Sequence, residues 1–429
     1  MAMTIIVALL GAACVLTLRP GRALGVLVMS MFLWPEYMRI PMGLAQMSAP
    51  RLIAIVFLVR LLMGRRPGFR FGRAEWIVLV WWVWDVLAHV LAGSEASETV
   101  YAVGRGMDTV LMFFVARLAL TDIQAWRGLF WPLGVTALVM GVVGGVEAVG
   151  GEYLYQRLYD LSGGAWFDKG QEYRYGLLRA RASTGHAIYF GVAMTVIMGW
   201  LIALRRFAPS MTMWLTAVCA AVAGTLSSLS SGPMLALTVF VGLRAFFHMR
   251  SLIRPALMML IAMCLVLEFA SNRHFYNLID YISISQETAW YRTRLLEVAA
   301  SRIGEYWAVG VGSDWPHHWG EMIDGRLHVD VVNNYVIMAI SGGLLGLGLY
   351  LALQILCVSR VVRAFREGGA GQRELWFSMG ALLLSLMAAS MSVGLYGPPL
   401  LLSYLVMGGM ASSTAASRGA TARGKIVGR

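Results

Sequence analysis

Charge is scarce in this chain. Only 14% of its 429 residues are Asp, Glu, Lys or Arg, against 59% hydrophobic residues and a mean hydropathy of +0.68. A water-soluble fold of this size needs far more charge, so the composition excludes an ordinary soluble enzyme and describes a chain dissolved in lipid. Cysteine and histidine are scarce as well. The four cysteines, Cys14, Cys219, Cys264 and Cys357, stand singly inside apolar runs without metal-site or redox spacing, and read as core filler. Of the seven histidines only His317 and His318 form a close pair, in what reads as a wet loop rather than a metal site. No Gly-rich phosphate loop, Walker-type lysine or dinucleotide fingerprint occurs. Neither a metal nor a cofactor is expected.

What the chain has instead is apolar stretches that recur from end to end, each close to the length that spans a hydrocarbon core. They run roughly over residues 3–18, 23–39, 50–63, 76–93, 103–120, 128–149, 186–204, 211–230, 232–247, 255–271, 331–356, 375–395 and 398–412. The expected fold is all-α, a polytopic transmembrane helical bundle of about 12 or 13 helices. It forms a single membrane domain over residues 1–429, since no separate soluble domain is visible and no barrel-type alternation occurs. Residues 3–18 could pass for a signal peptide, but they lack a charged start and a convincing cleavage site and are read as a retained first helix.

The formal charge of +12 follows topology rather than a nucleic-acid footprint. Arg19 and Arg22, the cluster Arg65, Arg66, Arg70 and Arg73, the pair Arg205 and Arg206, and Arg360, Arg363, Arg366 and Arg373 all fall in alternate short links, which are cytoplasmic by the positive-inside rule. The acids gather in the complementary links, among them Glu95, Glu152, Asp168, Glu172, Asp314 and Asp330. Two outward loops break the pattern of short links, residues 150–185 and 271–330, and both are rich in aromatics and arginines. Long loops beside a membrane scaffold are where function tends to sit. Their arginines run against the charge bias. They either pair with loop acids and lipid headgroups, or bind an anionic ligand such as a diphosphate, with aromatics stacking on sugar rings.

These loops carry a resemblance. The segment beginning Arg292-Thr-Arg294 and ending in the turn Gly310-Val-Gly312, followed by Val332-Asn-Asn-Tyr335 and Gly342-Gly-Leu-Leu-Gly346, resembles the signature of the O-antigen ligase and Wzy-type O-antigen polymerase superfamily. That signature has an arginine-led amphipathic helix, a Gly-Val-Gly turn, and a His-Asn or Asp-Asn pair before a helix carrying Gly-Leu-x-Gly. Arg181-Ala-Ser-Thr-Gly-His186 is similar to the family's arginine and Gly-x-His start of a helix, and Ser230-Ser-Gly232 stands where members carry Ser-Arg-Gly. Two departures matter. Val332 occupies the position of the family histidine or aspartate, and Ser231 replaces the arginine of Ser-Arg-Gly. They suit a divergent exopolysaccharide polymerase better than a lipid A-core ligase.

The resemblance implies a membrane-embedded, GT-C-like, metal-independent glycosyltransferase of the bacterial inner membrane with its active site facing the periplasm. Its donor would be a polyprenyl-diphosphate-linked glycan and its acceptor a second glycan, with other polysaccharide-export components as further partners. In that frame Arg292, Arg294 and Arg181 clamp the diphosphate, with Arg179 as an alternate to Arg181. Asp330 is the preferred base and His328 the other candidate. Asn333 and Tyr335 orient sugar hydroxyls, unless Asn333 merely caps a helix, and His186 reaches the site from the start of its helix. The alternative acceptor is a lipid or protein, as in a ligase. A different class is also open: Asp85, in mid-span, and Asp108, one turn from Arg105, would mark an ion path in a transporter or lipid-glycan flippase. A scaffold for other export components is a third reading.

Overall fold

The computed structural model describes residues 2–412 except 36, 44, 65–68, 70, 162–169, 312–314, 324, 326–328 and most of 248–285. The described chain is overwhelmingly helical. Its first half forms α1 (Ala2–Thr17), α2 (Pro20–Leu33), α3 (Ala49–Met63), α4 (Arg73–Leu91), α5 (Ala96–Ala119), α6 (Ile123–Gly128), α7 (Phe130–Gly150), α8 (Leu154–Leu161), α9 (Ala187–Ala203), α10 (Met211–Ser227) and α11 (Ser231–Ala245). The second half adds α12 (Gln286–Ser301), the short α13 (Ile303–Tyr306), α14 (Trp315–Met322), α15 (Asn334–Glu367), α16 (Ala370–Ser390) and α17 (Pro398–Ala411). Every expected span has its helix except 255–271, which lies almost wholly outside the described residues. Among the described residues four helical stretches, Arg73–Leu91, Ala96–Ala119, Ile123–Gly150 and Asn334–Glu367, are long and apolar enough to cross a membrane, and six more apolar helices have 14 to 17 residues. Seventeen residues rise about 26 Å, a little short of a hydrocarbon core of about 30 Å.

The second expected span, 23–39, ends early. Its helix stops at Leu33 because Trp34 precedes Pro35, which disfavours helical backbone before it. The chain then forms an antiparallel hairpin of β1 (Ile40–Met42) and β2 (Ala45–Met47). The other sheet is also a two-stranded hairpin, β3 (Tyr173–Arg174) with β4 (Leu177–Leu178), turned by Tyr175 and Gly176 with φ of 52° and 77°.

At the centre lies α9, apolar all round and buried along nearly its whole length, as expected of a helix enclosed by others. It packs on α10, α11 and α16, while α5 packs on α17 and α4 on α15. Small residues let these helices approach closely: Gly408 of α17 sits against the Phe113 carbonyl of α5, where a Cβ would collide. Three acids of the bundle pair with arginines from neighbouring helices. Arg105 grips Asp85 through both carboxylate oxygens at 2.6 and 2.7 Å, Arg51 grips Asp108 likewise at 2.6 and 2.7 Å, and Glu75 meets Arg117 at 2.6 Å and Arg360 at 3.2 Å. Asp108 therefore answers to α3 and Arg105 to α4, not to each other across one helical turn.

The links fall into two groups. At one end Gly21 abuts Ala125, Arg360 reaches Glu75 beside Gly72, Arg206 lies against Gly371, and Arg244 pairs with Glu374. At the other, the Tyr37 hydroxyl donates to the Tyr155 carbonyl at 3.3 Å, Arg174 to that of Leu229 at 3.0 Å, and Asn333 to that of Met391 at 2.9 Å. The first set joins arginine-rich links. The second joins the aromatic loops.

The helix α15 is broken at Gly342 (φ −138°, ψ 19°) and Gly343 (φ 65°, ψ −171°). Backbone from the second long loop takes the place of the missing helical bonds: the Leu344 N–H donates to the Trp307 carbonyl and the Val311 N–H to that of Ile340, both at 2.9 Å. Gly310 and Val311 thus interlock with the glycines of α15, and a Cβ at Gly343 would strike the Ala308 carbonyl as well as demand left-handed backbone. Gly343→Ala is expected to destabilise the fold by about 1–3 kcal/mol, read as a lower thermal midpoint for the detergent-purified protein.

Candidate functional site

Construction of the site starts from Glu147, in the last turn of α7, whose carboxylate is wholly buried. It accepts the main-chain N–H groups of Leu154 at 3.1 Å, Arg181 at 3.0 Å and Ala182 at 2.8 Å, and so ties both ends of the first long loop to the top of its helix. Glu147→Ala leaves two buried donors and one half-buried one without an acceptor and should cost roughly 3 kcal/mol, measured as a fall in the thermal midpoint; Glu147→Gln, which retains an acceptor oxygen, should fall less.

Held this way, the loop presents its arginines to the turn between α10 and α11. Leu229 in that turn is left-handed, with φ of 45°. Arg174 donates to the Leu229 carbonyl at 3.0 Å, Arg179 to the Ser230 Oγ at 2.7 Å, and Arg292, arriving from α12, to the Ser231 Oγ at 3.1 Å. Three guanidinium groups from two distant loops meet at three consecutive residues. Ser230 is the N-cap of α11 but makes no side-chain cap; its hydroxyl donates to the Ser228 carbonyl instead. The guanidiniums therefore stand beside a helix start that itself carries positive partial charge.

Burial sharpens this. Arg179 is 6% exposed, Arg181 5% and Arg292 4%. Burial first, and the neighbouring Arg174 second, push Arg292 down to about 10. Arg179 is also pushed down by burial, against the pull of Glu172, which it contacts. The Arg179 Nε has no hydrogen-bond partner among the described residues. Guanidiniums whose charge the protein disfavours gain stability from a bound anion, and their forks match phosphate oxygens.

Arg181 lies to one side. Its guanidinium stacks over the Tyr153 ring at 3.7 Å and donates to Gln156 at 3.4 Å, in the wall of an open cavity of about 690 Å³. Tyr153 links it to the rest, since it is held within reach of both Arg181 and Glu172. From Glu172 a series of contacts leads round to Tyr396. Glu172 Oε1 is 4.0 Å from His186 Nε2, the His186 ring is 5.6 Å from Tyr189, and Tyr189 is 6.0 Å from Tyr396, whose hydroxyl is pushed up by burial first, then by Tyr101, with Asp330 a smaller cause. Asp330 is anchored by its main chain: the Tyr291 hydroxyl donates to its carbonyl and accepts its N–H, both at 2.9 Å, leaving the carboxylate exposed. Tyr291 adjoins Arg292 in α12, so Asp330 is held next to that arginine's helix.

Arg292, Arg179, Arg181, His186 and Asp330 are thus gathered at one end of the bundle. Three other candidates are turned elsewhere. Arg294, two positions along α12 from Arg292, faces another side, bonding the Met322 carbonyl at 3.3 Å and Glu297 at 3.0 Å. Asn333 spends its amide as the N-cap of α15, accepting from Tyr335 N–H and Val336 N–H at 2.9 and 3.1 Å. Tyr335 points into the bundle, its hydroxyl donating to the Met387 carbonyl at 3.1 Å. His328 lies outside the described residues, as does the side chain of His317, while His318 faces Glu305 at 3.6 Å. His186 caps α9 through Nδ1, which accepts from the Ile188 N–H, so a neutral ring directs its Nε2–H toward Glu172. Sequence reasoning missed Glu147 and Tyr396; a lone acid in an apolar run was the available signal for the first. No family model matches the chain, and no curated protein matches it in sequence.

Proposed function

We propose that the protein is a glycosyltransferase of the bacterial inner membrane that polymerises polyprenyl-diphosphate-linked oligosaccharide repeat units at the periplasmic face. The observation that carries this reading is the convergence of Arg174, Arg179 and Arg292 on the Leu229–Ser231 turn at the start of α11. It also supplies what the departure at Ser231 seemed to remove: the guanidinium absent from that position is delivered by Arg292.

The chemistry needs three things: orientation of two sugars, removal of a proton, and accommodation of charge on the leaving group. A hydroxyl of the acceptor sugar attacks the anomeric carbon of the donor, the C–O bond to the diphosphate breaks, and its electron pair leaves with the lipid diphosphate. Arg292, Arg179 and Arg174 receive that developing charge, with Arg181 on the donor's flank. The hydroxyl proton passes to Asp330, an exposed carboxylate anchored through its main chain by Tyr291, the neighbour of Arg292. Tyr153, stacked on Arg181, and the open cavity beside it offer a surface for the donor glycan.

The test is to incubate the purified protein in nanodiscs with polyprenyl-diphosphate-linked repeat units from its host and follow glycan length by gel. A ladder of longer products supports polymerisation. Glycan appearing only on an added lipid or protein acceptor replaces it with ligase-type transfer, and unchanged substrate from folded protein overturns glycosyl transfer.

A further inference from the structure

We propose that a second cavity, beneath the β1–β2 hairpin, is the chamber that binds the acceptor saccharide, an inference that rests on the glycosyl-transfer reading above. The cavity holds about 350 Å³ and is enclosed by the end of α2, the hairpin, the starts of α3 and α5, and the turn before α17. That volume lies near the lower limit of small-molecule sites, about 300 Å³, and accommodates a short saccharide.

Its lining differs from that of the arginine turn. Trp34, Tyr101 and Tyr396 contribute aromatic faces. Between them lies the Arg51–Asp108 pair, joined by two bonds of 2.6 and 2.7 Å, with 15% and 20% of the two side chains exposed. A balanced, partly exposed pair draws neither anions nor cations strongly. It does offer a fixed acceptor beside a fixed donor, which is what vicinal hydroxyls require, while aromatic faces suit the C–H face of a sugar ring. Arg105, also in the wall, is paired with Asp85 of α4. At the rim Arg39 donates to Gln46 at 3.4 Å.

Position connects the chamber to the chemistry. Tyr396 is a wall of the cavity and also stands 6.0 Å from Tyr189, whose ring is 5.6 Å from that of His186. A sugar in the chamber would lie against Tyr396, which the ring contacts of Tyr189 and His186 join to Glu172 and so to Arg179. The two sites therefore divide the substrates by charge: the anionic donor at α11, the polyol acceptor under the hairpin.

Saturation-transfer NMR on the full-length protein in zwitterionic nanodiscs tests this, with maltose, lactose and cellobiose as probes and inorganic phosphate as competitor. At least one disaccharide should give a signal that persists in Arg292→Ala and under phosphate, and that weakens about tenfold in Tyr101→Ala, the scale of one lost aromatic contact. Tyr101 is 54% exposed, so that variant retains its fold, and Asp108→Asn should weaken binding independently. No transfer from any disaccharide, a signal indifferent to both cavity substitutions, or displacement by phosphate would overturn the assignment. Because this binding is read without turnover, its failure is distinguishable from the absence of a product ladder, which would sink glycosyl transfer itself.

Discussion

Replacing Arg292 by alanine is expected to slow glycan elongation by about 100- to 1000-fold, the loss seen when a preorganised donor to developing negative charge is removed. The side chain is 4% exposed, and burial first and Arg174 second disfavour its charge, so the site is desolvated and each charge-assisted bond made there counts for more than in water. Arg292→Lys keeps the charge but loses the planar fork, and should recover only part of the rate. A purely structural role would show differently. Ser231→Ala removes the 3.1 Å bond that holds Arg292 while leaving the guanidinium in place, and is expected to reduce the rate far less than Arg292→Ala. Equal losses in the two variants would reduce Arg292 to a brace for the turn.

Asp330→Asn should lower the rate by about 100- to 10,000-fold, the range for a general base in proton transfer. The substitution is nearly isosteric, and the bonds that anchor residue 330 run through its main chain to the Tyr291 hydroxyl, so the local structure survives it. Binding of the diphosphate-linked donor should be unchanged. A variant that elongates at the wild-type rate would remove Asp330 from the chemistry and leave the proton to another group.

Much of the bundle was legible because a lipid-facing helix must be apolar over its whole length, and such runs stand out in the sequence. The end of α2 was less so: Trp34 before Pro35 stops the helix, but the hairpin at 40–47 that roofs the cavity has no strong strand pattern. Pairings of charges were read from proximity along one helix, whereas Arg105 and Asp108 find partners on α4 and α3, through contacts that only the packed bundle creates. The same limit applied to the site. Arg292 and Arg294 look equivalent as neighbours in a motif, but a helix turns about 200° over two residues and sends them to different faces. Asn333 and Tyr335 match the motif by position, and the structure commits their polar groups to the cap of α15 and to the Met387 carbonyl. Ser231 read as a lost contact; in space it is the point at which Arg292 arrives.

The claim on which the rest depends is that the arginines at the start of α11 hold a diphosphate. Calorimetric titration of farnesyl diphosphate into the protein in zwitterionic nanodiscs tests it directly, comparing wild type with Arg292→Ala. The account predicts saturable binding that weakens about 10- to 100-fold in the variant, as expected for loss of a charge-assisted contact worth about 1.5–3 kcal/mol. Absence of binding to the wild type, or equal affinity in both proteins, would contradict it.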